Sequence, residues 1–174
     1  MSGSNKKFYY TVAKALHWVA GFFIAFNLLS GWKIGDFPLT QKQVLIMVHS
    51  GIGTTIFALM LFRWWWRKAH NLYSPPGWWK RPSMLLQCIF YPLILLQAII
   101  GVVQAAFIDY EVLAFGFIPY SSLAIANESL HGFFLQLHGA TAIVLILLII
   151  CHGIERGRFA FIDDGKQMKA QGQV

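Results

Sequence analysis

The chain has 174 residues, 57% of them hydrophobic and only 12% charged, with a formal net charge of +7 and a mean hydropathy of +0.56. A water-soluble domain carries about a quarter charged residues, so this composition excludes one and points to a membrane protein. The positive charge calls for no nucleic acid, because basic residues beside membrane helices serve topology and contact anionic lipid.

A transmembrane helix needs roughly 20 mostly apolar residues, and four stretches qualify, at about 12–32, 44–66, 84–106 and 132–154. They take up over half of the chain, which predicts an all-α integral membrane protein, a single domain over 1–174 built as a four-transmembrane-helix bundle. The first span follows Lys6 and Lys7 but is too long for a signal-peptide core and lacks a small-residue cleavage site; it reads as a retained helix holding His17. The second holds His49 and Arg63 and ends in Trp64–Trp66. A connector, RKAHNLYSPPGWWKRP, is broken by Pro75, Pro76, Gly77 and Pro82, and its His70 reads as a surface residue. The third span has no histidine. The segment 107–131 is acidic, with Asp109, Glu111 and Glu128, and has room for a short helix. The fourth span, LHGATAIVLILLIICHG at 137–153, carries His138 and His152. The polar tail after Gly157 reads as mobile. Cys88 and Cys151 form no CxxC or CxxCH motif and read as small packing residues.

Charge orients the bundle. With both termini in the cytoplasm, 12 of the 14 Lys and Arg fall on the inner side and only Lys33 and Lys42 outside, a strong positive-inside bias. Trp64, Trp65, Trp66, Trp78 and Trp79 then form an inner aromatic belt.

Ionisable side chains inside a membrane are costly and mark functional sites, although a neutral histidine also serves as interhelical glue. His138 and His152 lie 14 residues apart, about 21 Å along a helix and within about 40° of one face. One helix thus presents an imidazole near each membrane surface. His17, three residues past Lys14, matches the depth of His152, four before Arg156; His49, seven past Lys42, approximates that of His138, ten past Glu128. Two bis-histidine levels follow, one inner and one outer. His131, only three residues past Glu128, lies too near water to match His49 and reads as a rim residue bonding a cofactor carboxylate.

A bare zinc ion takes four ligands, or three and water, and no Asp, Glu or Cys stands at either depth. A haem brings four nitrogens and needs only two axial ligands. Small residues would let the disc approach: Ala20 and Gly21, Gly51 and Gly53, Gly139 and Ala142, and Gly153. Close helix packing accounts for them equally. Arg63, 14 residues past His49, reaches the inner level, either to pair with a haem propionate or to snorkel to the interface. Phe22, Phe23 and Phe57 fall between the two levels.

With His17–Trp18, His49, Arg63, the outer segment FGFIPY at 115–120, Ala126–Asn127–Glu128 and the His138/His152 spacing in place, the chain resembles the bacterial cytochrome b561 family over essentially its whole length. The resemblance implies two haem b groups held by the pairs His17/His152 and His49/His138, and ubiquinone or another quinone near the inner haem. Lys14, Lys80 and Arg81 are candidates to bind quinone or propionate. It also implies the bacterial inner membrane, and a small periplasmic redox substrate, superoxide included, or a periplasmic redox protein as the outer partner. Some members carry a histidine where this chain has Gln87. The expected function is electron transfer across the membrane, as a superoxide:quinone oxidoreductase or as the anchor subunit of a periplasmic enzyme. A histidine-lined metal-ion transporter is the non-redox alternative, opposed by the wide apolar gap between the two histidine levels.

Overall fold

The computed structural model describes residues 3–70, 72 and 82–170. Four helices dominate it: α1 (Gly3–Gly31), α2 (Leu39–Ala69), α3 (Pro82–Ala106) and α4 (Glu128–Ala170). Stretches in all four, Lys7–Asp36, Leu39–Ala69, Cys88–Ala106 and Glu128–Glu155, are long and apolar enough to cross a membrane. Large apolar side chains on every helix face outward, among them Phe22, Leu29, Val44, Ile99 and Leu147. Lipid tails solvate such a surface as well as a protein core would.

Each helix outruns its apolar stretch. Helical backbone satisfies its own hydrogen bonds, so it continues into the polar flanks. At its start α1 reaches back over Lys7, whose carbonyl accepts from Thr11 Oγ1 at 3.0 Å. Pro38 stands just before α2, its carbonyl accepting from Lys42 N at 2.9 Å. Pro82 opens α3, where a missing N–H costs nothing. Asn127 caps α4, its Oδ1 accepting from Leu130 N at 3.0 Å, and Glu128 favours the positive helix start. The tail read as mobile is helical as far as Ala170.

The segment before α4 differs from expectation as well. In place of a short helix it forms a two-stranded antiparallel hairpin, β1 (Leu113–Ala114) with β2 (Ile118–Pro119), and a single 3-10 turn at Tyr120–Ser122. The connection Phe115–Gly116–Phe117 needs positive φ at Phe115 (56°) and Gly116 (80°), a conformation that suits glycine and strains phenylalanine. The hairpin lies on α2. Phe115 fills the place a side chain at Gly51 would take, 2.9 Å from that Cβ position, and the Tyr120 hydroxyl bonds Thr54 Oγ1 at 2.7 Å.

α1 packs on α2, α2 on α3 and α3 on α4. The buried centre is a small apolar cluster of Ala20, Ile56, Met60, Ile94 and Leu145, with Phe23 against it. Leu145 stands seven residues from both His138 and His152, so this cluster occupies mid-depth. Phe22 does not join it and is 68% exposed. Phe57 is half-buried but outside the cluster. Cys88 and Cys151 are free thiols on the exposed surface rather than packing residues.

Candidate functional site: two imidazole pairs

The helices bring four histidines together in two pairs. At the end of the bundle where α1 begins, the ring centres of His17 (α1) and His152 (α4) lie 6.2 Å apart, their planes at 79°. At the hairpin end, His49 (α2) and His138 (α4) are also 6.2 Å apart, at 74°. These are the partners that depth alone had matched. Two imidazoles bound to one metal at about 2.0–2.1 Å place their ring centres roughly 6 Å apart, so both gaps have room for one metal centre. Among the described residues no group of three or more His, Cys, Asp or Glu is gathered as a metal site. The gaps therefore suit a group that brings its own equatorial ligands.

Each ring is held differently. Arg63 Nη1 lies 2.8 Å from His17 Nδ1. A guanidinium only donates, so in this arrangement that nitrogen accepts. Arg63 also stands over the Tyr91 ring at 5.8 Å; it turns into the bundle and does not merely snorkel. Phe90 meets His152 edge-on with centres 5.9 Å apart. At the hairpin end both Nδ1 atoms, of His49 and of His138, are buried without a hydrogen-bond partner.

The glycines that admit these rings are not the ones spacing had suggested. Gly31 faces His49, whose Cε1 is 2.7 Å from where a Cβ would stand, and Gly101 faces His138, at 3.0 Å. Gly51 meets Phe115 and Gly53 meets Asn27, while Gly21, Gly139 and Gly153 have nothing of the chain within 4 Å of that position. The last three are exposed, and the open space beside them lies on the outer surface of α1 and α4. Gly31 and Gly101 lie far in sequence from the histidines they accommodate, so no local pattern flags them.

His131 does not approach His49. Its Nδ1 donates to the Gln104 carbonyl at 3.0 Å, tying the start of α4 to the end of α3. Lys14 joins Tyr10, His17, Arg63, Arg67 and His152 around a cavity of about 300 Å³. Among the described residues three cations and no carboxylate line it, which suits an anionic group. Arg67 is the member that sequence reading passed over; its signal was its place one turn beyond Arg63. Contrary to the expectation that no Glu or Cys stands at this depth, Cys151 adjoins His152 and Glu155 lies within one turn of it, with its Oε2 buried without a hydrogen-bond partner. Lys80 and Arg81, like Trp78 and Trp79, lie outside the described residues, and nothing is described of the Gln87 side chain. His70 is not the plain surface residue expected. It stacks between Tyr9 (4.0 Å) and Trp66 (4.2 Å) and its Nδ1 donates to the Trp66 carbonyl at 2.9 Å. At the hairpin end, Lys33 is ion-paired with Asp36 at 3.2 Å.

Four long apolar helices with imidazoles paired between them define a class, the integral-membrane cytochrome-type helical bundle. Residues 9–163 match the family model described as prokaryotic cytochrome b561. The chain belongs to the prokaryotic cytochrome b561 family, and is therefore a haem b electron-transfer protein of the membrane. No curated protein matches the chain.

Proposed function

We propose that this chain, acting as a single transmembrane domain, is a di-haem b cytochrome carrying electrons across the bacterial inner membrane between a periplasmic redox partner and membrane quinone. The observation that carries the reading is the pair of imidazole gaps, each 6.2 Å between ring centres, at opposite ends of the bundle. His17 and His152 would hold one haem, and His49 and His138 the other. A haem held between two imidazoles would supply reversible one-electron exchange rather than oxygen chemistry.

The chain's own residues do the rest. The apolar cluster of Ala20, Ile56, Met60, Ile94 and Leu145 keeps water from the space between the two levels. Arg63, with Lys14 and the newly recognised Arg67, provides cations for propionates or for a quinone headgroup at the end where α1 begins. Lys80 and Arg81 are assigned to the same side by sequence alone. His131 is a rim residue of the hairpin end. The positive-inside bias of the connector and tail supports cytoplasmic termini, with the hairpin facing the periplasm.

Two outer partners remain in view. Superoxide steering would rest on Lys33 and Lys42, but Lys33 is offset by Asp36. The hairpin instead exposes Phe115 and the stacked Phe117, and just beyond it Leu123 and Ile125. That observation favours the second reading, an anchor subunit handing electrons to a periplasmic redox protein.

The test is the reduced-minus-oxidised spectrum of the purified protein, with haem and metal counts per chain. Two b haems are expected. His17→Ala and His152→Ala should each remove one haem, and His49→Ala and His138→Ala the other. One haem, no haem, or bound zinc in its place would overturn the reading.

A further inference from the structure

The helix without a histidine, α3, holds the ring of His138. Gln97 Nε2 donates to the His138 carbonyl at 3.0 Å. Thr141 Oγ1, with its single proton, lies against three acceptors: Gln97 Oε1, the Leu137 carbonyl at 2.9 Å and the His138 carbonyl at 3.1 Å. This closes a small polar ring between α3 and α4 in an otherwise apolar span. One turn further along α3, Gly101 meets the imidazole itself: a Cβ there would stand 3.0 Å from Cε1 and 3.4 Å from Nδ1 of His138. Backbone position and ring position are thus set by two contacts from a single helix face, four residues apart.

Such a device is needed here. A metal-binding histidine usually has its second nitrogen bonded to a carboxylate or carbonyl, which fixes the ring's rotation. The Nδ1 of His138 is buried without a hydrogen bond of standard geometry, and the Gln97 main chain is the polar group close enough to act on the ring. A polar group such as Gln97 is also expensive between membrane helices unless it is satisfied, and here its amide spends its bonds on the residue that carries the imidazole.

We propose that Gln97 and Gly101 are positioning residues for the hairpin-end haem, fixing the rotation of the His138 imidazole relative to that of His49. The proposal rests on the reading of His49 and His138 as the axial pair. The two planes now stand at 74°. Nearly perpendicular axial imidazoles give a ferric low-spin haem a strongly anisotropic magnetic resonance signal, and more parallel planes a rhombic one. The angle is therefore directly observable.

The experiment compares electron paramagnetic resonance spectra and redox titrations of the oxidised two-haem protein with those of Gln97→Leu, Thr141→Val and Gly101→Ala. Each variant should keep two haems per chain. The signal and midpoint potential of the haem lost in His138→Ala should shift, while those of the haem lost in His152→Ala stay as in the wild type. Gly101→Ala is expected to shift the signal most, since a ring 3.0 Å from the new methyl must turn or retreat. Should Gln97→Leu fail to assemble, Thr141→Val, which removes a single hydroxyl, decides for the polar ring. Unchanged spectra and potentials in all three variants with both haems present would overturn the proposal. A wild type lacking a haem that depends on His138 would instead overturn the underlying axial pairing.

Discussion

Arg63 is the side chain on which residue-level chemistry turns. It lies about four-fifths of the way along α2, and its guanidinium reaches His17 Nδ1 at 2.8 Å, while its Nε is buried without a hydrogen-bond partner. A cation that close to a redox centre favours the reduced, more negative state, because burial weakens the screening between them. Arg63→Leu should lower the midpoint potential of the haem assigned to His17 and His152 and leave the hairpin-end haem unchanged, as read in a redox titration. Unchanged potentials at both centres would reduce Arg63 to a packing residue. The position of Arg63 was legible from its 14-residue offset from His49. Its contact with His17 was not, because the rotation of α2 about its own axis depends on what α1 and α3 present to it.

Among the elements, the β1–β2 hairpin is the one whose form was least legible. FGFIPY has no helical period and too few residues for a confident strand, so the segment had room for a helix and formed a turn. What decides its shape is docking: Phe115 adopts a positive φ that it would otherwise avoid, with its ring against the bare backbone of Gly51. Gly51→Ala puts a methyl 2.9 Å from the Phe115 ring and 3.2 Å from its backbone nitrogen. The ring can yield; the backbone cannot without lifting the hairpin. The variant should lose roughly 1–3 kcal/mol of stability, the usual cost of overpacking. Hydrogen exchange at 113–119 should quicken while the helical spans keep their protection. Thr54→Val, which deletes the 2.7 Å bond to Tyr120, should act in the same direction and more weakly, by about 1 kcal/mol.

At the scale of the whole molecule the proposed outer reaction turns on the charge at the hairpin end. Superoxide is a small anion, and a positive patch would raise its encounter rate in a salt-dependent way. Lys33 and Lys42 are the cations on that side, and the pairing of Lys33 with Asp36 leaves the patch weak. On the favoured reading, stopped-flow mixing of quinone-loaded protein with a superoxide source should show at most slow haem reduction with little salt dependence, and a Lys33→Gln/Lys42→Gln double variant should stay within about twofold of the wild type. Reduction abolished by superoxide dismutase would establish the reactant. Absence of reduction, with both haems intact and reducible by quinol, would direct attention to a protein partner at the exposed Phe117 and Ile125.

The sequence by itself determined the membrane class, the four apolar helices and the spacing of the histidines along them. Those properties depend on local hydropathy and on a fixed rise per residue, and both can be counted along a chain. Depth was enough to match His17 with His152 and His49 with His138, because helices that cross one bilayer share its two surfaces as reference planes. Helix ends were less legible, since helical hydrogen bonding carries α1 and α4 past the apolar stretch into polar residues. Only the tertiary structure decided which side chains surround each imidazole: Gly31 behind His49, Gly101 and Gln97 behind His138, Arg63 on His17. Those contacts depend on how each helix is rotated about its axis. That rotation is set by packing among all four helices at once, which no count along a single chain contains.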